Sequence, residues 1–125
     1  MNPIVRNVLA VIAGYIVGSV VNMGIIVLFG EMDPEKLKVI VANLTFTDAI
    51  VPFAAHALGT LAGALVAAFL GVSHKMILAL IIGFIFLIGG TVMSVFMIPA
   101  PTWFIAMDLI LAYIPMGWIA GKIAS

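Results

Sequence analysis

Two side chains in this sequence have the chemistry for acid–base work in surroundings that disfavour charge. His56 stands inside "FAAHALGTLAGALVAAFLG", residues 53–71, and Asp108 inside "WFIAMDLILAYIPMGW", residues 103–118. A carboxylate carried into a bilayer costs roughly 3 kcal/mol on insertion scales, and a nearby imidazole that hydrogen-bonds it relieves that cost. The two would then behave as one coupled site that exchanges a proton. Asn22, Thr60, Thr91 and Ser94 bring uncharged hydrogen-bonding groups from the neighbouring apolar stretches. They are expected to line the site. Such groups also serve as glue between membrane helices, typically for less than about 1 kcal/mol each. Pro115 has no N–H for the carbonyl of Leu111, so a kink and a freed oxygen are expected beside Asp108. A free carbonyl next to a carboxylate and an imidazole suits a cation or a proton.

The elements that must position these residues follow from composition. The chain has 125 residues, 66% of them hydrophobic and 8% charged. A soluble chain this short leaves too much of its surface wet to hide so much apolar area. Each membrane span needs about 20 mostly apolar residues. Four stretches qualify, over residues 4–29, 49–71, 76–98 and 103–122. The links "GVSHK" and "PAPTW" are too short for anything but antiparallel neighbours. The expected fold is all-α, an antiparallel four-transmembrane-helix bundle forming a single domain over residues 1–125. The first stretch is too long for a signal peptide, and "LFGEMD" has no A-x-A cleavage site, so it is expected to be retained.

The one long loop, residues 30–48, carries a helix signal of its own. Asp33 can cap a helix with Pro34 at its first position. Leu37, Ile40, Val41 and Leu44 then share one face, as in a short amphipathic helix lying on a membrane surface or capping the bundle end. Arg6, Lys75 and Lys122 are expected at one membrane face and Lys36 and Lys38 at the other. The excess of basic residues predicts both termini in the cytoplasm of a bacterial inner membrane. Three against two is a narrow excess, and dual insertion is the alternative.

Depth brings the polar residues together. At a rise of about 1.5 Å per residue, Asn22, His56, Thr91, Ser94 and Asp108 all fall roughly 6–10 Å to the outer side of the midplane. Small residues recur every fourth position: Gly14 and Gly18 in the first span, Gly59 and Gly63 in the second, Gly117 and Gly121 in the fourth. Such stripes allow close helix contact within a chain or between chains. Four short helices have little interior, so self-association in the lipid bilayer is expected.

Several chemistries are excluded. The formal net charge is zero with no basic patch, so nucleic acid is not an expected partner. Cysteine is absent, which removes disulfides and thiolate sites. There is no phosphate-cradling glycine loop, no G-x-S-x-G, and no pair of histidines at metal-ligand spacing. No cofactor, metal or catalytic residue is expected.

"RNVLAVIAGYIVGSVVNMG", "HALGTLAGALVAA" and "PAPTWF" with "DLILAYIPMGW" resemble the short four-span bacterial membrane proteins that have no assigned activity. The small multidrug resistance transporters share the length and span number, but they carry an essential Glu in the first span, where this chain has no carboxylate. "GGTVMSVF", residues 89–96, is faintly similar to the third-span break of dual-topology fluoride channels, whose second-span asparagine has no counterpart here. The leading expectation is a small homo-oligomeric carrier or channel for a proton, ion or small solute. The alternatives are an accessory subunit of a larger membrane complex and an enzyme acting on a lipid or quinone.

Overall fold

A computed structural model of the chain describes residues 2–97 and 100–125. Among them all regular structure is helical: α1 (Pro3–Phe29), α2 (Pro34–Ala42), α3 (Phe46–Leu70), α4 (Lys75–Val92), α5 (Thr102–Leu111) and α6 (Ile114–Ala124). A π-helical turn, Met93–Met97, continues α4. The units Pro3–Phe29, Phe46–Leu70, Lys75–Met97 and Thr102–Ala124 are each long and apolar enough to cross a membrane, the mark of an integral membrane protein. Ile98, the expected end of the third span, and the turn proline Pro99 lie outside the described residues.

Local chemistry sets the helix starts. Asn2 caps α1, accepting from Ile4 N–H at 2.7 Å ahead of a proline at the first position. Asp33 caps α2 in the same way, accepting from Glu35 N–H at 3.0 Å. At α3, the Thr45 hydroxyl accepts from Asp48 N–H while Asp48 accepts from Thr45 N–H, each at 3.2 Å. This reciprocal box holds two otherwise free amides. It starts α3 at Phe46, ahead of the mainly apolar stretch expected to begin at Ala49.

The fourth apolar stretch is two helices. α5 ends at Leu111 and α6 starts at Ile114, with Pro115 in its first turn. The proline has no amide to continue the ladder, so the chain breaks across Ala112 and Tyr113 instead of bending smoothly.

α3 is the hub, packed against α1, α4 and α6. Glycine makes this possible. A Cβ on Gly14 would strike the Gly63 carbonyl and lie 2.9 Å from Ala67 Cβ. One on Gly18 would lie 2.8 Å from the Gly59 carbonyl, and one on Gly117 3.0 Å from the Ala79 carbonyl. Backbones that touch this closely gain the dispersion contact that must replace hydrophobic drive between helices in lipid. Ala64, Ala67, Ala68, Leu78, Ala79, Ile82 and Ala120 fill the half of the bundle nearest the chain termini.

That end is tied by cations. Arg6 Nε donates to the Leu70 carbonyl at 3.0 Å, and Lys75 Nζ donates to those of Ala68 and Gly71 at 2.8 and 3.0 Å. Positive charge on the last carbonyls of α3 also complements the negative end of its helix dipole. Gly121 packs on Met76, which brings neighbouring Lys122 to the same end. His74 is exposed and takes a left-handed conformation (φ 52°) in the turn before α4.

Candidate functional site

The opposite half of the bundle is hollow. A cavity of about 660 Å³ lies between α1, α2, α3, α4 and the π-helical turn. Its walls are mainly apolar, with Ile26, Val51, Phe86, Met93 and Phe104 among them. Leu37, Ile40, Val41 and Leu44 of the α2 segment are half-buried and turned over this cavity. Of the two positions expected for this face, a membrane surface and the bundle end, it takes the second and covers the cavity. α2 has no buried residue and packs extensively on no other helix.

The floor is a hydrogen-bonded triad. Asp108 is fully buried. Its carboxylate accepts from His56 Nδ1, which lies 2.8 Å from Oδ1 and 2.9 Å from Oδ2. The Tyr113 hydroxyl donates to Oδ2 at 3.1 Å. The His56 and Tyr113 rings stack with centroids 5.8 Å apart. A carboxylate on Nδ1 leaves His56 Nε2 as the ring's acceptor. Both His56 and Tyr113 line the cavity, but Asp108 does not. It stands behind them, joined to the cavity wall through their hydrogen bonds.

Tyr113 was not among the residues expected from the sequence. In a straight helix, residues five apart point about 140° away from one another. The break at Ala112–Tyr113 swings the ring back to the carboxylate. The proline two positions later is the one signal in the sequence that such a break was coming. Gly90 makes the room, since a Cβ there would strike the Tyr113 hydroxyl.

The remaining expected residues divide. Asn22, Thr60 and Ser94 line the cavity with His56. Thr60 is buried and donates to the His56 carbonyl at 2.8 Å, fixing the turn that presents the imidazole. Ser94 is buried within the π-helical turn. Asn22 Oδ1 is buried with no hydrogen-bond partner among the described residues. Thr91 does not belong to the cavity. Its hydroxyl donates to the Leu87 carbonyl of its own helix at 2.8 Å. The turn from α4 into the π-helical segment places Ser94, and not Thr91, on the wall. The side-chain partners of the Asp108 carboxylate are His56 and Tyr113; Leu111, whose carbonyl was expected to be freed beside it, is a half-exposed residue.

No group of three or more His, Asp or Glu side chains that could hold a metal ion occurs among the described residues. No family model, curated protein or solved structure matches the chain.

Proposed function

We propose that this chain is an integral membrane carrier, inserted as an antiparallel four-span bundle, that binds a small solute or ion in its one-sided cavity. Protonation of the His56–Asp108–Tyr113 triad would control release. The observation that carries this reading is a fully buried carboxylate bonded to an imidazole and a phenol that form the floor of an apolar cavity. Groups of this kind within a span are expensive to keep and are characteristic of proton relays and substrate paths. A carrier is favoured over an open channel because the small-residue core closes the bundle below the triad. In this reading the α2 end faces outward and the end bearing Arg6, Lys75 and Lys122 faces the cytoplasm. Much of the apolar surface of α1, including Ile4, Val20 and Phe29, is exposed and would meet lipid or further copies of the chain.

The test is proton uptake by the purified protein in liposomes under an imposed potential. Uptake that falls to background in Asp108→Asn, with the variant's native mass unchanged, is the expected result. The amide keeps the side chain's shape and its acceptor oxygen but cannot ionise. Uptake that survives this change overturns the reading.

A further inference from the structure

We infer that the cavity is built for a protonated amine with an apolar body. This rests on the carrier reading and names its solute class.

The inference comes from counting donors and acceptors on the cavity wall. His56 Nδ1 is spent on Asp108, so Nε2 offers a lone pair. The Thr60 and Tyr113 hydroxyls spend their protons on the His56 carbonyl and on Asp108, and each oxygen still accepts. Asn22 Oδ1 is a buried acceptor with no donor among the described residues. Pro52 has no N–H for the Asp48 carbonyl one turn earlier in α3, and both residues are on the wall. Against these stand the neutral donors of Asn22 Nδ2, Thr47 and Ser94.

Charge points the same way. The wall includes the carboxylates of Glu31 and Asp48, with Asp108 behind it, and among the described residues no Lys or Arg. An anion would meet no Lys or Arg there, and a neutral solute could pair the acceptors but would bring no charge to offset the carboxylates. An ammonium supplies both the positive charge and the N–H groups. The rest of the volume is apolar and of the size that encloses a small organic molecule. A buried acceptor without its donor is costly, and an N–H from the solute would relieve that cost.

Proton coupling follows from the same groups. Protonating His56 would convert Nε2 from acceptor to donor and add positive charge beside the ammonium, so acid would expel it. The titratable groups that touch the His56 side chain are Asp108 and Tyr113, while α1 and α4 bring none to the cavity wall.

The experiment is titration calorimetry on the purified protein with four probes that share one body. These are 4-phenylbutylammonium, its N-trimethyl form, 4-phenylbutanol and 4-phenylbutyrate. The ammonium is expected to bind tenfold or more tightly than the alcohol, with the butyrate unbound and the trimethyl form weakened by loss of its N–H groups. Asn22→Leu and Thr60→Val each remove one acceptor at nearly constant size, and each is expected to weaken the ammonium about tenfold, as loss of a charge-assisted hydrogen bond does. Alcohol or butyrate binding that equals or exceeds the ammonium's, and weakens in Asn22→Leu, overturns the amine class but keeps the cavity as a solute site. Failure of every probe overturns the inference outright. Selective ammonium binding with no proton uptake in liposomes preloaded with 4-phenylbutylammonium supports the amine class and sinks the carrier reading instead.

Discussion

The Tyr113 hydroxyl occupies the space that a side chain at Gly90 would need. A Cβ built on Gly90 also comes within 2.6 Å of Tyr113 Cζ and 2.8 Å of Cε2, so the ring itself, and not a flexible tip, is in the way. Tyr113 is 3% exposed and has no room to retreat. Gly90→Ala is therefore expected to push the phenol off Asp108, adding an overpacking cost of about 1–3 kcal/mol to the loss of that hydrogen bond. Tyr113→Phe loses the same hydrogen bond without the collision and should cost less. Thermal unfolding of both variants in one detergent checks the order. Equal stability of wild type and Gly90→Ala would show that the ring does not sit there.

Pro115 acts on the triad at a distance. Restoring an amide with Pro115→Ala favours a continuous helix through Ala112, which turns Tyr113 away from Asp108. The expected loss is about 1.5–3 kcal/mol, the range for a hydrogen bond to a charged group. The decisive readout is a double-mutant cycle. If Pro115 acts through Tyr113, Pro115→Ala should cost little more once Tyr113→Phe is present. Full additivity of the two changes would show that the proline does something else.

His56 shields the carboxylate as well as bonding it. His56→Ala would leave Asp108 fully buried with Tyr113 as its remaining side-chain partner. Breaking a buried pair in this way costs about 3–5 kcal/mol. The imidazole side chain is 24% exposed, so water will enter and the lower end of that range is expected. His56→Gln restores a donor and should recover part of the loss. Chemical unfolding of the two variants separates the outcomes, and an alanine variant as stable as wild type would remove Asp108 from the list of costly buried charges.

The glycine seam discriminates among sites that look alike. Gly63→Ala would put a methyl group onto the Gly14 carbonyl and 3.1 Å from Gly18 Cα, where only backbone could yield. Separation of α1 from α3 and a loss of about 1–3 kcal/mol are expected. Gly24 has nothing within 4 Å of its missing Cβ. Gly24→Ala should instead raise stability by about 0.4–1 kcal/mol, because it lowers the entropy of the unfolded chain. Melting temperatures that move in the same direction for both variants would contradict the packing described.

The α2 segment should govern access to the cavity. The chain has no native cysteine, so Ser94→Cys introduces a single thiol, on the cavity wall. Its reaction with a small thiol reagent should be slow in that background. It should accelerate about tenfold or more when Leu37, Ile40 and Leu44 are changed to Ser, since removing their apolar contact shifts the cover toward its open position. An unchanged labelling rate would show that α2 does not cover the cavity.

Much of the architecture was legible in the sequence because it depends on local properties. Hydropathy run-length marked the four units long and apolar enough to cross a membrane, and the structure moves their boundaries by only a few residues. Asp33 and Pro34 announced α2, and the spacing of Leu37, Ile40, Val41 and Leu44 identified its apolar face. Which of its two expected places that face takes, a membrane surface or the bundle end, was not legible, since a half-apolar helix reads the same above either.

The candidate site shows the division sharply. Residue type and depth alone singled out His56 and Asp108 as a pair, because charge is costly wherever the surroundings are apolar. Only the tertiary structure decided that Asp108 sits behind the cavity wall, that Tyr113 completes the triad and that Thr91 turns back to its own helix. These outcomes depend on how each helix is rotated about its axis and on the break at Ala112–Tyr113. Spacing along the chain fixes which residues share a face within one unbroken helix. It carries no information about which faces of different helices meet, or about how a break realigns the residues on either side of it.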